Sequence, residues 1–300
     1  VVRDLDGDGD PDAVISNLLA AVGGCCDINL LINDGTGGFT DERSLRLPSG
    51  DIDAFAVGVE DLDGDGHPDL FVAGDMASNR LFLNDGQGMF REAAPDALPT
   101  IIEPRGRIPD FGDLDGDGHV DIYLPSATQD RVLINEGGAR FVDYTAYLLG
   151  NEDEGTYSAT VVDLDLDGHL DVIGANSGSG APLRVYRNDG DGTLFDYTAA
   201  VVGVDPTIAA AVAVAAADLD GDRDPELLVS RNHGQRPWLL HTRDPAGPAD
   251  ADAALVPDDA ANCPDTHNPR QVHGDAWHHP CADATSRAAQ PACGLVCAAR

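Results

Sequence analysis

A nine-residue acidic pattern occurs five times in this chain and carries its most evident chemistry. The clearest copy is residues 61–69, with carboxylates at positions 1, 3, 5 and 9 and glycine at positions 4 and 6. A tightly curled chain can direct alternate side chains at one centre, and Ca²⁺ takes six to eight oxygen ligands at about 2.3–2.6 Å. Glycine at position 6 permits the positive φ that such a turn requires. The pattern therefore predicts a calcium loop in which position 7 contributes only its backbone carbonyl.

The five copies together supply the candidate metal ligands. The predicted side-chain ligands are Asp4, Asp6, Asp8 and Asp12; Asp61, Asp63, Asp65 and Asp69; Asp113, Asp115, Asp117 and Asp121; Asp163, Asp165, Asp167 and Asp171; and Asp218, Asp220, Asp222 and Glu226. The predicted position-7 carbonyls belong to Asp10, His67, His119, His169 and Asp224. A solvated acidic turn is the alternative for one copy alone, but five evenly spaced copies argue against it. We expect four to five Ca²⁺ sites.

Two copies depart from the pattern. Copy four has Leu166 at position 4 but keeps Gly168 at position 6, and we expect it still to bind Ca²⁺. Copy five has Arg223 in place of the position-6 glycine, which restricts the backbone and adds a positive charge beside the ion. The longer side chain of Glu226 could still reach that ion. Copy five is therefore the weakest candidate of the five.

The residues around each loop predict β-strands. Val72 and Leu124 stand at position 12, where an EF-hand needs a bidentate Glu, and the runs after the loops are aliphatic or aromatic. An Asn-(Asp/Glu)-Gly turn followed by Phe recurs at residues 33–39, 84–90, 135–141 and 188–195, and such turns indicate β-hairpins. Each repeat is thus predicted to contain, in order, a strand, the calcium loop, a strand, a connection, a strand, the hairpin turn and a strand. The repeat length of about 50 residues is that of one four-stranded propeller blade.

The composition excludes several classes of function. The net charge is −35 and all 18 basic residues are Arg, so no basic patch is available for nucleic acid or an anionic membrane surface. No run of 18 apolar residues exists, so we expect no membrane insertion. The nucleophile-elbow, zincin and phosphate-loop motifs are absent, and calcium accounts for the acidic pairs, so we expect a protein that is not an enzyme.

The six cysteines suggest disulfides and an oxidising compartment, and hence a secreted, extracellular or cell-surface protein. Cys25 and Cys26 are adjacent and could form a vicinal bridge, pair elsewhere or stay free. The other four, Cys263, Cys281, Cys293 and Cys297, lie in a His- and Pro-rich tail. Zinc is the alternative there, although the spacing matches no Cys₂His₂ pattern. The missing initiator Met and the start just before a loop suggest a piece of a longer precursor.

Composition also divides the chain into three parts. Residues 1–243 contain the repeats and form the predicted calcium-binding propeller blades. Residues 244–256 are rich in Ala, Pro and Asp and read as a linker. Residues 257–300 form a small Cys-rich segment dominated by loops, which needs disulfides or a metal for stability.

The acidic loops and the Asn-(Asp/Glu)-Gly…Phe turns resemble the FG-GAP, or VCBS-type, repeats of integrin α-subunit heads and many secreted bacterial proteins. The resemblance covers residues 1 to about 243. It implies an all-β fold, a β-propeller of four-stranded antiparallel blades, in which the five visible repeats could be part of a larger ring. It implies a calcium-binding protein but does not identify a ligand, because such propellers serve adhesion, glycan binding and scaffolding.

The tail is similar to a degenerate thrombospondin type 3 repeat. The matching residues are 256–259, 262–264, 268–271 and 281–283. This resemblance implies a Cys263–Cys281 disulfide, with Cys293–Cys297 as its companion. Asp250, Asp252 and Asp258 could still make one weak calcium site, although Ala254, Leu255 and Ala261 stand where the family has Asp or Gly.

The sequence therefore favours a non-enzymatic extracellular module for adhesion or for recognition of a protein or glycan. The alternative is a structural subunit of an extracellular filament or surface assembly, whose partners would be copies of itself. An accessory binding domain of a secreted enzyme is a third possibility.

Overall fold

The structure, a computed structural model, describes residues 1–17, 27–50, 52–74, 77–100, 107–149, 155–176, 183–201, 211–219, 221, 223–231 and 237–240. All six cysteines, the linker and the tail lie outside these residues, so the predictions made for them stay predictions. The described chain is all-β apart from three single-turn helices. None of its helices is long and apolar enough to cross a membrane. The fold is a β-propeller, and each of the five described sheets is formed by one repeat.

The five sheets follow one another along the chain, and strands pair antiparallel in sequence order. Blade one contains β1 (Val2–Arg3), β2 (Asp12–Asn17), β3 (Asp27–Asn33) and β4 (Phe39–Asp41), and blade two contains β5 (Ala54–Glu60), β6 (Asp69–Gly74), β7 (Arg80–Asn84) and β8 (Phe90–Glu92). Blade three contains β9 (Asp110–Gly112), β10 (Asp121–Leu124), β11 (Arg131–Asn135) and β12 (Phe141–Asp143), and blade four contains β13 (Thr156–Val162), β14 (Asp171–Asn176), β15 (Arg184–Asn188) and β16 (Leu194–Asp196). Blade five contains β17 (Ala211–Ala217), β18 (Glu226–Arg231) and β19 (Trp238–Leu240).

Short helices follow the last strand of three blades. They are α1 (Arg43–Arg46), α2 (Thr145–Leu148) and α3 (Thr198–Val201). In the last two the first residue is a buried Thr whose hydroxyl accepts a hydrogen bond from the strand beside it, from Val132 N and Val185 N respectively. These two hydrogen bonds hold α2 and α3 against the third strand of their blades.

The predicted repeat order is confirmed. In blade two, residues 61–68 connect Glu60 to its antiparallel partner Asp69, so the acidic loop joins the first two strands. The Asn-Asp-Gly turn joins the last two strands, with Asn84 paired to Phe90. Blade five shows three strands among its described residues, and residues 241–243, where its hairpin pattern is lost, lie outside them.

The chain divides into two compact units, Val1–Ala159 and Thr160–Arg300. In the first unit the central strand β6 is buried on both faces. Leu70 and Val72 pack into one apolar cluster with blade one, whereas Phe71 and Ala73 pack into a second cluster with blade three. Successive strand residues point to opposite faces, so one strand of continuous apolar sequence serves two interfaces. In the second unit, a third cluster joins blades four and five.

The hairpin Phe is a core residue in some blades only. Phe90 packs against blade one, and Phe141 is buried in the second cluster. Phe39 of blade one is 52% exposed. In blade four the turn has the same length but the Phe comes one position later in the sequence, so Leu194, not Phe195, lies opposite Asn188 and takes the buried position.

Candidate metal centres

The first Asp of each loop organises the turn. In loop two (residues 61–69), the two carboxylate oxygens of Asp61 accept hydrogen bonds from Gly64 N and Gly66 N, both at 2.9 Å. Both glycines have positive φ, 80° and 91°. Loop one (residues 4–12) and loop three (residues 113–121) repeat these bonds with Asp4 and Asp113. The side chains at positions 1 and 3 therefore converge because the backbone wraps around the first carboxylate.

The last Asp of each loop has a role that the sequence analysis did not assign. Asp69 is fully buried, and its oxygens accept hydrogen bonds from Leu62 N at 3.0 Å and from Asn84 N at 2.8 Å. Asp12, Asp121 and the last Asp of loop four (residues 163–171), Asp171, make the equivalent pair of bonds. This residue fastens the loop to the end of the third strand.

The hairpin Asn connects the loops of neighbouring blades. The Asn84 side-chain amide donates to Leu5 O in loop one at 2.8 Å and to Pro68 O in loop two at 3.0 Å. Asn135 donates likewise to Leu62 O at 2.9 Å and Val120 O at 3.1 Å. The sequence analysis interpreted these residues as turn formers only. The recurrence of Asn at all four hairpin turns was the feature of the sequence that could have indicated this role.

Among the described residues, four groups of carboxylates have ligand oxygens that all lie within 4.8 Å of one another. They are Asp4, Asp6 and Asp8; Asp61, Asp63 and Asp69; Asp113, Asp115 and Asp121; and Asp163, Asp165 and Asp167. Two oxygens bound to one Ca²⁺ at about 2.3–2.6 Å can lie at most about 5 Å apart, so these groups have the size of a calcium site. In loop one a buried oxygen of Asp6, Oδ1, has no hydrogen-bond partner, which suits a metal ligand. Loops one to three therefore fit the ion that their sequence predicts.

The structure does not bring every predicted ligand into these groups. Asp65 and Asp117 each accept a hydrogen bond from the position-7 backbone N–H, His67 N at 2.9 Å and His119 N at 2.8 Å, and lie outside the groups. The imidazole of His67 lies against Gly86 of the hairpin turn. A carbonyl role for Asp10, His67, His119, His169 and Asp224 stays a prediction.

Loop five (residues 218–226) keeps part of the same arrangement. Asp218 accepts a hydrogen bond from Gly221 N at 2.6 Å, and Glu226 accepts one from Leu219 N at 2.7 Å, as the last Asp does elsewhere. Arg223 adopts φ 91° where the other loops have glycine. Asp220 and Asp222 lie outside the described residues, so calcium binding here stays a prediction.

Burial and mutual repulsion make the negative charge in these loops costly. Burial raises the pKa of Asp69 and of Asp121 to about 7, against the lowering effect of their backbone hydrogen bonds. Burial and the neighbouring carboxylates also raise the pKa of Asp63 and Asp115. A divalent cation would relieve this cost because it stabilises the ionised form.

These pKa shifts predict the pH dependence of the protein without Ca²⁺. Since Asp69 and Asp121 titrate near 7 when folded and near 3.9 when unfolded, the folded state holds more protons between these values. The unfolding free energy should therefore fall as pH rises from about 4 to about 7. Thermal unfolding in chelator should give a higher Tm at pH 5 than at pH 8, and saturating Ca²⁺ should reduce the difference. An equal difference with and without Ca²⁺ would contradict this expectation.

Comparison with known proteins gives one family match. The model of the FG-GAP-like repeat matches residues 4–72, 61–124, 113–174 and 163–229. Each match begins at the first Asp of one loop and ends in the strand that follows the next loop. Comparison with curated proteins found no match.

Comparison with solved structures found matches that include three proteins. A lectin of Agrocybe aegerita that recognises non-reducing terminal N-acetylglucosamine aligns with a TM-score of 0.47 and 21% identity, over 76% of this chain and 60% of the lectin. The Tc holotoxin pore of Photorhabdus luminescens aligns with a TM-score of 0.39 and 21% identity, over 80% of this chain and 11% of the pore. The V. cholerae biofilm matrix protein Bap1 aligns with a TM-score of 0.38 and 20% identity, over 76% and 33%. The chain thus spans less than two thirds of each.

Proposed function

The chain belongs to the FG-GAP-like repeat family, and we propose that it is a calcium-binding, non-enzymatic module that recognises an extracellular protein or glycan. The observation that carries this proposal is the recurrence of one carboxylate geometry in successive loops, with ligand oxygens within 4.8 Å. A repeated structural ion site makes a rigid scaffold on which variable surface residues can bind a partner. Extracellular modules bind Ca²⁺ with dissociation constants of about 10⁻⁴–10⁻³ M, which suits a secreted or cell-surface location.

A cleft beside loop two is the candidate recognition surface. Its volume is about 430 Å³, and it is lined by Asp63 and Asp65 of the loop, Arg91 of β8, Asp96 and Arg140. Ligand sites commonly measure about 300–1,000 Å³ and contain a few converging polar groups. Arginine and carboxylate side chains together suit a polyhydroxylated or mixed-charge ligand, to which they can donate and accept hydrogen bonds. Ca²⁺ bound in loop two would fix the position of one wall of the cleft.

The proposal predicts calcium-dependent binding that involves this cleft. A glycan array and a panel of extracellular proteins should be screened in millimolar Ca²⁺ and again in chelator. For the ligand found, Arg140→Ala should lower the affinity about ten-fold or more, because a charge-assisted hydrogen bond is lost. Arg140 is largely exposed, so the variant should fold normally. Arg184→Ala, which removes a partly buried arginine that is paired with Asp196 in blade four, is the control outside the cleft.

Other outcomes would redirect the proposal. Binding that survives chelation, or that Arg140→Ala and Arg184→Ala weaken equally, would contradict a calcium-dependent site at this cleft. Sedimentation velocity should show one species near 31.3 kDa in Ca²⁺. Large calcium-dependent particles would instead favour the structural subunit of an extracellular assembly.

A further inference from the structure

Loop four differs from the other described loops because a guanidinium group lies among its carboxylates. The side chain of Arg187 in β15 is 1% exposed. Its Nη2 atom forms ion pairs with Asp165 and, at 3.1 Å, with Asp167 Oδ2. Asp165 is itself buried. Together with Asp163, these two carboxylates are the three whose oxygens would surround an ion in this loop.

Blades one, two and three have no charged residue at the corresponding position. Arg187 immediately precedes the hairpin residue Asn188, which is paired with Leu194. The residues that precede the hairpin Asn in blades one, two and three are Ile32, Leu83 and Ile134, and all three are buried apolar side chains. The third strand of blade four therefore places a cation where the third strands of blades one, two and three place an apolar side chain.

Arg46 in loop one provides an instructive contrast. It contacts a single loop carboxylate, with Nη2 3.1 Å from Asp6 Oδ2, and it also binds Glu42 and the carbonyl of Gln87. The second oxygen of Asp6 is left without a hydrogen-bond partner. Arg187 instead engages two of the three carboxylates of its loop. The loop-four backbone keeps the turn conformation of the other loops, with Gly168 at φ 93° and Leu166 at φ 61°, so its shape alone does not set it apart.

We propose that Arg187 is the built-in counter-ion of loop four and replaces the Ca²⁺ that the other loops bind. This inference rests on the proposed calcium function of loops one to three and departs from the sequence-based expectation for loop four. Ca²⁺ cannot bind these oxygens while the guanidinium group of Arg187 pairs with Asp165 and Asp167. The guanidinium group would repel the ion and would occupy the oxygens that the ion needs as ligands. Blade four is then held together independently of the calcium concentration.

The test counts bound Ca²⁺ by isothermal titration calorimetry and equilibrium dialysis. Arg187→Leu gives loop four the side chain that blade two carries at this position, and it should bind one more equivalent of Ca²⁺ than the wild type. Arg184→Leu removes an arginine from the same strand that pairs with the surface residue Asp196, and it should leave the count unchanged. Leu83→Arg, the reverse exchange in blade two, should lose one equivalent.

A second measurement covers the case in which Arg187→Leu fails to fold. In the otherwise wild-type chain, Asp163→Ala should leave the Ca²⁺ count unchanged, whereas Asp61→Ala should lower it by one. The proposal is overturned if Asp163→Ala loses one equivalent, or if folded Arg187→Leu gains none. A wild type that binds no Ca²⁺ would refute the calcium function of loops one to three. In that case a gain of one equivalent by Arg187→Leu would still support the role of Arg187, and no gain would overturn it.

Discussion

Removal of Ca²⁺ should lower the melting temperature of this protein by about 10 °C. At a Ca²⁺ concentration ten times the dissociation constant, each site stabilises the folded state by RT ln 11, about 1.4 kcal/mol. Loops one to three would together contribute about 4 kcal/mol, and a protein of this size gains about 2–4 °C in Tm for each kcal/mol. Differential scanning calorimetry in 5 mM Ca²⁺ and in excess chelator measures the effect. The physical source is the crowding of carboxylates such as Asp61, Asp63 and Asp69 within one loop.

Variants identify the carboxylates that are responsible. Asp61→Asn and Asp113→Asn should each remove about a third of the calcium-dependent shift. Asp53→Asn changes an exposed carboxylate outside the loops by the same charge and should preserve the full shift. A Tm that does not change on chelation, or a shift that Asp53→Asn reduces as much as Asp61→Asn, would exclude structural calcium in these loops.

Replacement of the hairpin asparagine of blade two should strongly destabilise the contact between blades one and two. Asn84 is 4% exposed; its side chain donates to Leu5 O and Pro68 O and accepts from Gly86 N and Gly88 N. Asn84→Ala leaves two buried backbone groups, Leu5 O and Gly88 N, without partners, and each such group costs about 1–3 kcal/mol. We expect a loss of about 3–4 kcal/mol in the unfolding free energy, measured by urea denaturation in saturating Ca²⁺.

Blade one contains a natural control for this variant. Asn33 forms the same turn and donates to Pro11 O at 3.1 Å, but it makes no described bond to another blade. Asn33→Ala should therefore cost only about 1 kcal/mol. Asn135→Ala should resemble Asn84→Ala, because Asn135 bonds to Leu62 O of the preceding blade. Equal losses for Asn33→Ala and Asn84→Ala would show that the bond between blades adds no stability.

The local features of the fold follow directly from the sequence. A glycine such as Gly66 marks a backbone position with positive φ, and alternate Asp residues mark a chain that turns around one centre, so residues within nine positions of one another define the loop. The Asn-Asp-Gly turn fixes the hairpin in the same way. Repetition then makes the blade order predictable, since each repeat of about 50 residues is one supersecondary unit.

Only the tertiary structure shows the contacts between residues that are far apart in the sequence. The sequence does not indicate that Arg187 and Asp165 form an ion pair, because this contact depends on how β15 packs beside loop four. The bond from Asn84 to Leu5 likewise joins residues 79 positions apart. Loop chemistry is local and is therefore determined by residue type and spacing. The counter-ion of loop four and the connections between blades are non-local, and they exist only once the strands are packed.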